Sequence, residues 1–82
     1  MSLALDDIKN FIKVSETKNI TRASESLGLT QPALSYSIKR LENELGQELI
    51  VRLKNGVVLT KFGQAFLSKA RKLIILWEES QK

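Results

Sequence analysis

Apolar residues recur at helical spacing over three successive stretches of the 82-residue chain, give way to two short apolar runs, and return to helical spacing near the end. In the first stretch, from about Ala4 or Asp6 to Thr17, Ile8, Phe11, Ile12 and Ser15 follow one helix face, and Asp6 and Asp7 sit in the first turn, where the helix dipole favours acids. A short helix from roughly Thr21 to Leu27 follows, with Asn19 or Thr21 as its cap, Ala23 and Leu27 one turn apart on the inner face, and Gly28 where a left-handed residue ends it. The third stretch is "LTQPALSYSIKRLENELG", residues 29–46. At about 100° per residue, Leu34, Ile38, Leu41 and Leu45 fall within about 60° of one another, a core-facing stripe. Pro32, Tyr36, Lys39 and Asn43 lie opposite, with Ser35 on one flank and Arg40 on the other. Thr30 is placed to cap this helix, and Pro32 in its first turn loses no hydrogen bond. Beyond Gly46 the pattern predicts a hairpin: Leu49 to Leu53, a turn at Asn55-Gly56, and Val57-Val58-Leu59 returning. Thr60 then caps a last helix over Lys61 to Glu79, broken only by Gly63.

Two helices joined through a short glycine-containing turn, the second starting on a capped polar turn, make a helix-turn-helix, whose second helix enters a DNA major groove. This gives the outer face of residues 31–45 a meaning. Gln31 suits adenine, Lys39 suits guanine acceptors or phosphate, Ser35 is short enough for bases or backbone, Pro32 and the Tyr36 ring offer apolar contact to a thymine methyl, and Arg40 on the flank is expected at the DNA with them. The alternative is an ordinary solvated helix face. The short preceding turn, the bunching of hydrogen-bonding side chains in the first two turns and the basic hairpin that follows shift the balance toward DNA. The net charge, +4 from 13 basic and 9 acidic residues, is moderate, but between Leu49 and Trp77 there are six basic residues and no acid. Arg52 and Lys54 belong to the hairpin and are predicted at phosphates or in the minor groove, the alternative for Arg52 being a surface ion pair with Glu48.

The chain has no cysteine and no histidine, which removes disulfides, thiolate metal sites and the commonest neutral-pH acid–base group. With no nucleophile–base pair, metal cluster or phosphate-cradling glycine loop in the sequence, neither an enzyme nor a cofactor is expected. No apolar run approaches about 18 residues and no secretory signal is evident, so the expected location is the cytoplasm, away from membranes. So short a chain buries only a modest core, and help from a second copy is expected. Gly63, Phe66, Ala70, Leu73 and Trp77 fall at alternating three- and four-residue steps, the spacing of a coiled-coil seam on which Gly63 and Ala70 would admit a partner backbone. The alternative is a monomer with its last helix simply buried.

From Leu5 to about Thr60, through "FIKVSETKNITRASESLGLTQPALSYSIKRLENELGQELIVR" and "LTKFG", the chain resembles the DNA-binding domain of LysR-type transcriptional regulators. The resemblance implies a mostly α fold: a winged helix-turn-helix of three core helices and a short β-hairpin over residues 1–59, then a linker helix over 60–82 that pairs antiparallel in a homodimer. It places Thr30, Gln31, Pro32, Ser35, Tyr36 and Arg52 at the DNA. Ile50, Ser24 and Phe62 depart from the family's usual phenylalanine and alanines, all at packing positions. Such regulators continue into an effector-binding domain of two α/β subdomains, absent from these 82 residues, so the expectation is a fragment of a bacterial regulator whose small-molecule effector binds elsewhere. A two-fold dimer of this kind should want an interrupted inverted repeat of double-stranded DNA. The rival reading is a winged helix used only for protein interaction.

Overall fold

The structure, a computed structural model, describes residues 3–81; residues 1, 2 and 82 of the expected spans lie outside the described residues. Helices α1 (Leu5–Thr17), α2 (Ile20–Leu27) and α3 (Gln31–Leu45) are followed by strands β1 (Ile50–Leu53) and β2 (Gly56–Leu59) and by helix α4 (Lys61–Ser80). Capping residues start three of the helices. Asn19 Oδ1 accepts from the N–H of Arg22, Thr30 Oγ1 from Ala33, and Thr60 Oγ1 from Gly63. Gly28 ends α2 in the left-handed region, and Leu29 and Thr30 alone then separate it from α3, the expected tight turn.

Phe11 lies at the centre of the core, fully buried among Ile8 and Val14 of α1, Ala23 of α2, Leu34, Ile38 and Leu41 of α3, and Phe66 and Ala70 of α4. Its ring centroid is 5.9 Å from that of Phe66, on which Phe62 in turn stacks at 6.1 Å. The three departures from the family pattern are therefore accommodated: Phe62 extends this aromatic row, Ile50 is buried, and the buried Ser24 hydroxyl donates to the carbonyl of Thr21.

Strands β1 and β2 pair antiparallel with Leu53 opposite Gly56, so the two loop residues are Lys54 and Asn55 rather than Asn55 and Gly56. The shift has a physical cause. Gly56 takes φ 152°, and a Cβ there would lie 2.7 Å from the carbonyl oxygen of Lys18, so the glycine serves close approach to the α1–α2 turn. That same carbonyl accepts from the N–H of Val57 at 3.0 Å, fastening the hairpin to the first helix pair.

The expected partner-facing seam on α4 is only partly available. Gly63, Phe66 and Ala70 face this chain's own body: Phe66 and Ala70 complete the core, and a Cβ on Gly63 would stand 2.1 Å from the Leu49 carbonyl oxygen. The first turns of a capped helix leaving the hairpin must run back over it, so close backbone approach is needed inside the chain, not across a dimer. Leu73 and Trp77, with Ile75 and Leu76, remain exposed.

Gly63→Ala should therefore destabilise by about 3 kcal/mol, the upper end of overpacking costs, because the clash is with backbone. Urea unfolding should show a lower midpoint at unchanged slope; an unchanged midpoint would mean that α4 shifts freely on the hairpin.

Candidate nucleic-acid interface

The exposed face of α3 follows from its stripe. With Leu34, Ser37, Ile38 and Leu41 turned inward, Gln31, Pro32, Tyr36, Lys39 and Arg40 are exposed and Ser35 is half-buried. Thr30 is exposed at the helix start, its hydroxyl occupied by the cap. The N-terminal half of the helix is thus a polar surface with no acid in its first turn.

A residue that sequence patterning passes over brings the wing to this surface. Glu42 Oε2 accepts from the N–H of Leu49 at 2.7 Å and of Ile50 at 3.3 Å, holding the root of β1 against α3. Two residues farther along, Arg52 Nη2 donates to Ser35 Oγ at 2.7 Å, so the partner of Arg52 is Ser35 and not Glu48. A shallow groove between α3 and β1 is lined by Ser35, Lys39, Glu42 and Arg52. Lys54 is exposed at the hairpin tip. Ser35, Lys39 and Arg52 are brought together; Gln31 and Pro32 share their helix face with Ser35, one turn toward its start.

Arg40 behaves differently. It was expected at the DNA with Lys39, yet its Nε and Nη2 donate inward to Asp7 Oδ2 and Oδ1, both at 2.7 Å. Asp7 also accepts from Ser37 Oγ at 2.6 Å, and Ser37 accepts from Asn10 Nδ2 at 2.9 Å. The Arg40 guanidinium and the Ser37 hydroxyl hold the Asp7 carboxyl below its ordinary pKa, against the opposing effect of burial, and the carboxylate in turn raises the pKa of Arg40. A signal for this cluster exists in the sequence: Asp7 shares the face of Phe11 and Val14, and Ser37 interrupts the Leu34–Leu41 stripe, so two polar residues on core-facing positions call for partners.

A family model for bacterial regulatory helix-turn-helix proteins of the lysR family matches residues 5–64. The chain belongs to this family. The HTH-type transcriptional regulator HdfR of Escherichia coli is 43% identical over 75 residues, which are 92% of this chain and 27% of that protein, so the chain spans about a quarter of the length of the curated relatives it matches. Among solved structures, the CbnR DNA-binding domain in complex with DNA superposes with a TM-score of 0.92 at 35% identity, covering 95% of this chain and 90% of that one. DarR of Vibrio fischeri, also in complex with DNA, gives 0.94 at 32% identity over 98% of this chain and 27% of that one. This LysR-family chain thus has the winged helix-turn-helix fold of DNA-bound relatives. No helix among its described residues is long and apolar enough to cross a membrane.

Two outcomes follow from the buried polar groups. Glu42→Ala strips the acceptor from two N–H groups at the wing root and should cost about 1–3 kcal/mol, read as a lower urea midpoint. Asp7 has a folded pKa below its unfolded value, so its contribution is full above the unfolded pKa and is lost as pH falls through the folded one. The stability gap between the native chain and Asp7→Asn should accordingly be constant above about pH 5 and narrow progressively as pH falls below it. A gap independent of pH would mean that the carboxylate charge contributes nothing.

Proposed function

We propose that this chain is a sequence-specific, double-stranded-DNA-binding module of a bacterial LysR-type regulator, acting as a homodimer. The Arg52–Ser35 hydrogen bond carries the reading, because it joins the wing to the first turns of α3 in one surface with Lys39 and Lys54 beside it and no ion pair to Arg52 among the described residues. The DNA-bound CbnR and DarR relatives support it. In this reading α3 enters the major groove. Gln31, Ser35 and Tyr36 meet base edges with Pro32 against a thymine methyl, Thr30 meets the backbone at the helix start, Lys39 two turns along meets guanine acceptors or phosphate, and Arg52 and Lys54 take phosphates or the adjacent minor groove.

The dimer forms through the exposed apolar residues of α4, with Leu73 and Trp77 joined by Leu76. Two copies related by a two-fold axis then read an interrupted inverted repeat. The module works without catalysis or cofactor, in the cytoplasm where bacterial chromosomal DNA lies, and a small-molecule effector acts through parts of the regulator beyond the matched region.

Selection of duplexes from a random pool at near-physiological salt tests the reading. Enrichment of a two-fold-related, interrupted motif is the expected result. Binding without enrichment that vanishes on adding salt would instead favour a protein-interaction module. On the selected duplex, Gln31→Ala should cost roughly 1–3 kcal/mol and relax preference at one base pair, whereas Arg52→Ala should weaken binding to all sequences and flatten the salt dependence by about one ion. Two harmless substitutions would remove these residues from the interface.

A further inference from the structure

Asp7 has no part in the surface just described, yet it is 2% exposed and accepts three hydrogen bonds, all from α3. An apolar residue at this α1 position would pack against α3 without desolvating a charge, so the carboxylate is a costly way to join two helices. Its effect on α3 is specific. It neutralises Arg40 and turns the Nε–Nη2 edge of the guanidinium toward the protein, while the Arg40 side chain remains 48% exposed. The guanidinium carbon then lies 5.2 Å from the centroid of the Tyr36 ring, one turn back along the same helix. Tyr36 is 65% exposed on the face that carries Pro32 and Lys39, and the Arg40 guanidinium is a fixed cation beside its ring.

We propose that Asp7 is a specificity-positioning residue: it withholds Arg40 from the DNA phosphates and holds the guanidinium as a platform that orients Tyr36 for base contact. The proposal rests on the DNA-reading function above. An unrestrained arginine at the edge of the recognition helix would find a phosphate, adding affinity for every sequence alike and diluting the share that base contacts contribute. Paired with Asp7, the same arginine adds no such contact, and it limits the orientations of the one aromatic ring on the reading face. Asn10, through Ser37, holds the third donor to the carboxylate in place. Choice of sequence on the outer face of α3 is thereby linked to a residue buried beneath it.

The test compares binding to the selected duplex and to a scrambled one, across a salt series, for the native chain, Asp7→Asn, Arg40→Gln and the double variant. Asp7→Asn keeps the shape while freeing Arg40. It should tighten binding to the scrambled duplex on the order of five-fold, steepen the log–log salt slope by about 0.9, and lower the selected-to-scrambled ratio. Arg40→Gln, at a half-exposed position, should leave the slope at its native value yet lower the same ratio, since the platform under Tyr36 is gone. The double variant should return the slope to native. A flatter slope in Arg40→Gln would show Arg40 already on a phosphate and overturn the proposal, as would Asp7→Asn with native slope and ratio. Should Asp7→Asn fail to fold, Arg40→Gln alone decides by the same two readouts. A native chain that does not discriminate the two duplexes would defeat the DNA-reading function itself, and the proposal with it.

Discussion

The backbone of Leu49 is where three parts of the molecule are joined. Its N–H is held by Glu42 of α3, its carbonyl accepts from the N–H of Thr60, and the same carbonyl lies so close to Gly63 that only a hydrogen on that α-carbon fits. Its side chain is meanwhile fully buried in the core. The wing leaves from this residue and α4 returns to it. The distance from the exposed face of α3 to Arg52, and the direction in which α4 sets out, are consequently fixed by one peptide segment whose polar groups are all satisfied. A loop tethered at both its N–H and its carbonyl is a rigid support, as a surface that must match a double helix requires.

Electrostatics divides the cations of α3 into two kinds. Lys39 is exposed, and Arg52 reaches over from the wing to a neutral hydroxyl that leaves its charge uncompensated. Arg40 carries the same formal charge but spends its donors on a buried carboxylate. Net charge alone, at +4, treats these groups as equal. Position relative to Asp7 makes them different, and a basic helix face becomes one on which cations stand at chosen places.

Membership of the LysR family and the aromatic row Phe11–Phe66–Phe62 together explain why α4 begins as part of the body and ends as an exposed helix. Its first three turns complete a core that three short helices leave open. Beyond Ala70, Leu73, Ile75, Leu76 and Trp77 outnumber what the body can cover. Small residues at Gly63 and Ala70 suit helix-to-helix contact equally well within a chain and between chains, so spacing could not assign them. The neighbouring Leu49 carbonyl does.

Much of this was legible in the chain because it is local. The three core helices, the Thr30 and Thr60 caps, the short turn after Gly28 and the bounds of α3 follow from periodicity and capping chemistry that act within a few residues, whereas the choice of Asn19 over Thr21 as the cap of α2 was settled only in the structure. The outward set Pro32, Tyr36, Lys39 and Asn43 was legible for the same reason, since a helix stripe turned to the core fixes the opposite face. What only the tertiary structure decided depends on contacts between residues far apart in sequence. Arg40 turns to Asp7, Arg52 to Ser35, Glu42 to the wing root, and Gly56 and Gly63 to carbonyls of Lys18 and Leu49. A charge or a glycine states what it can do but not which neighbour it will meet, and that neighbour is supplied only when the helices pack.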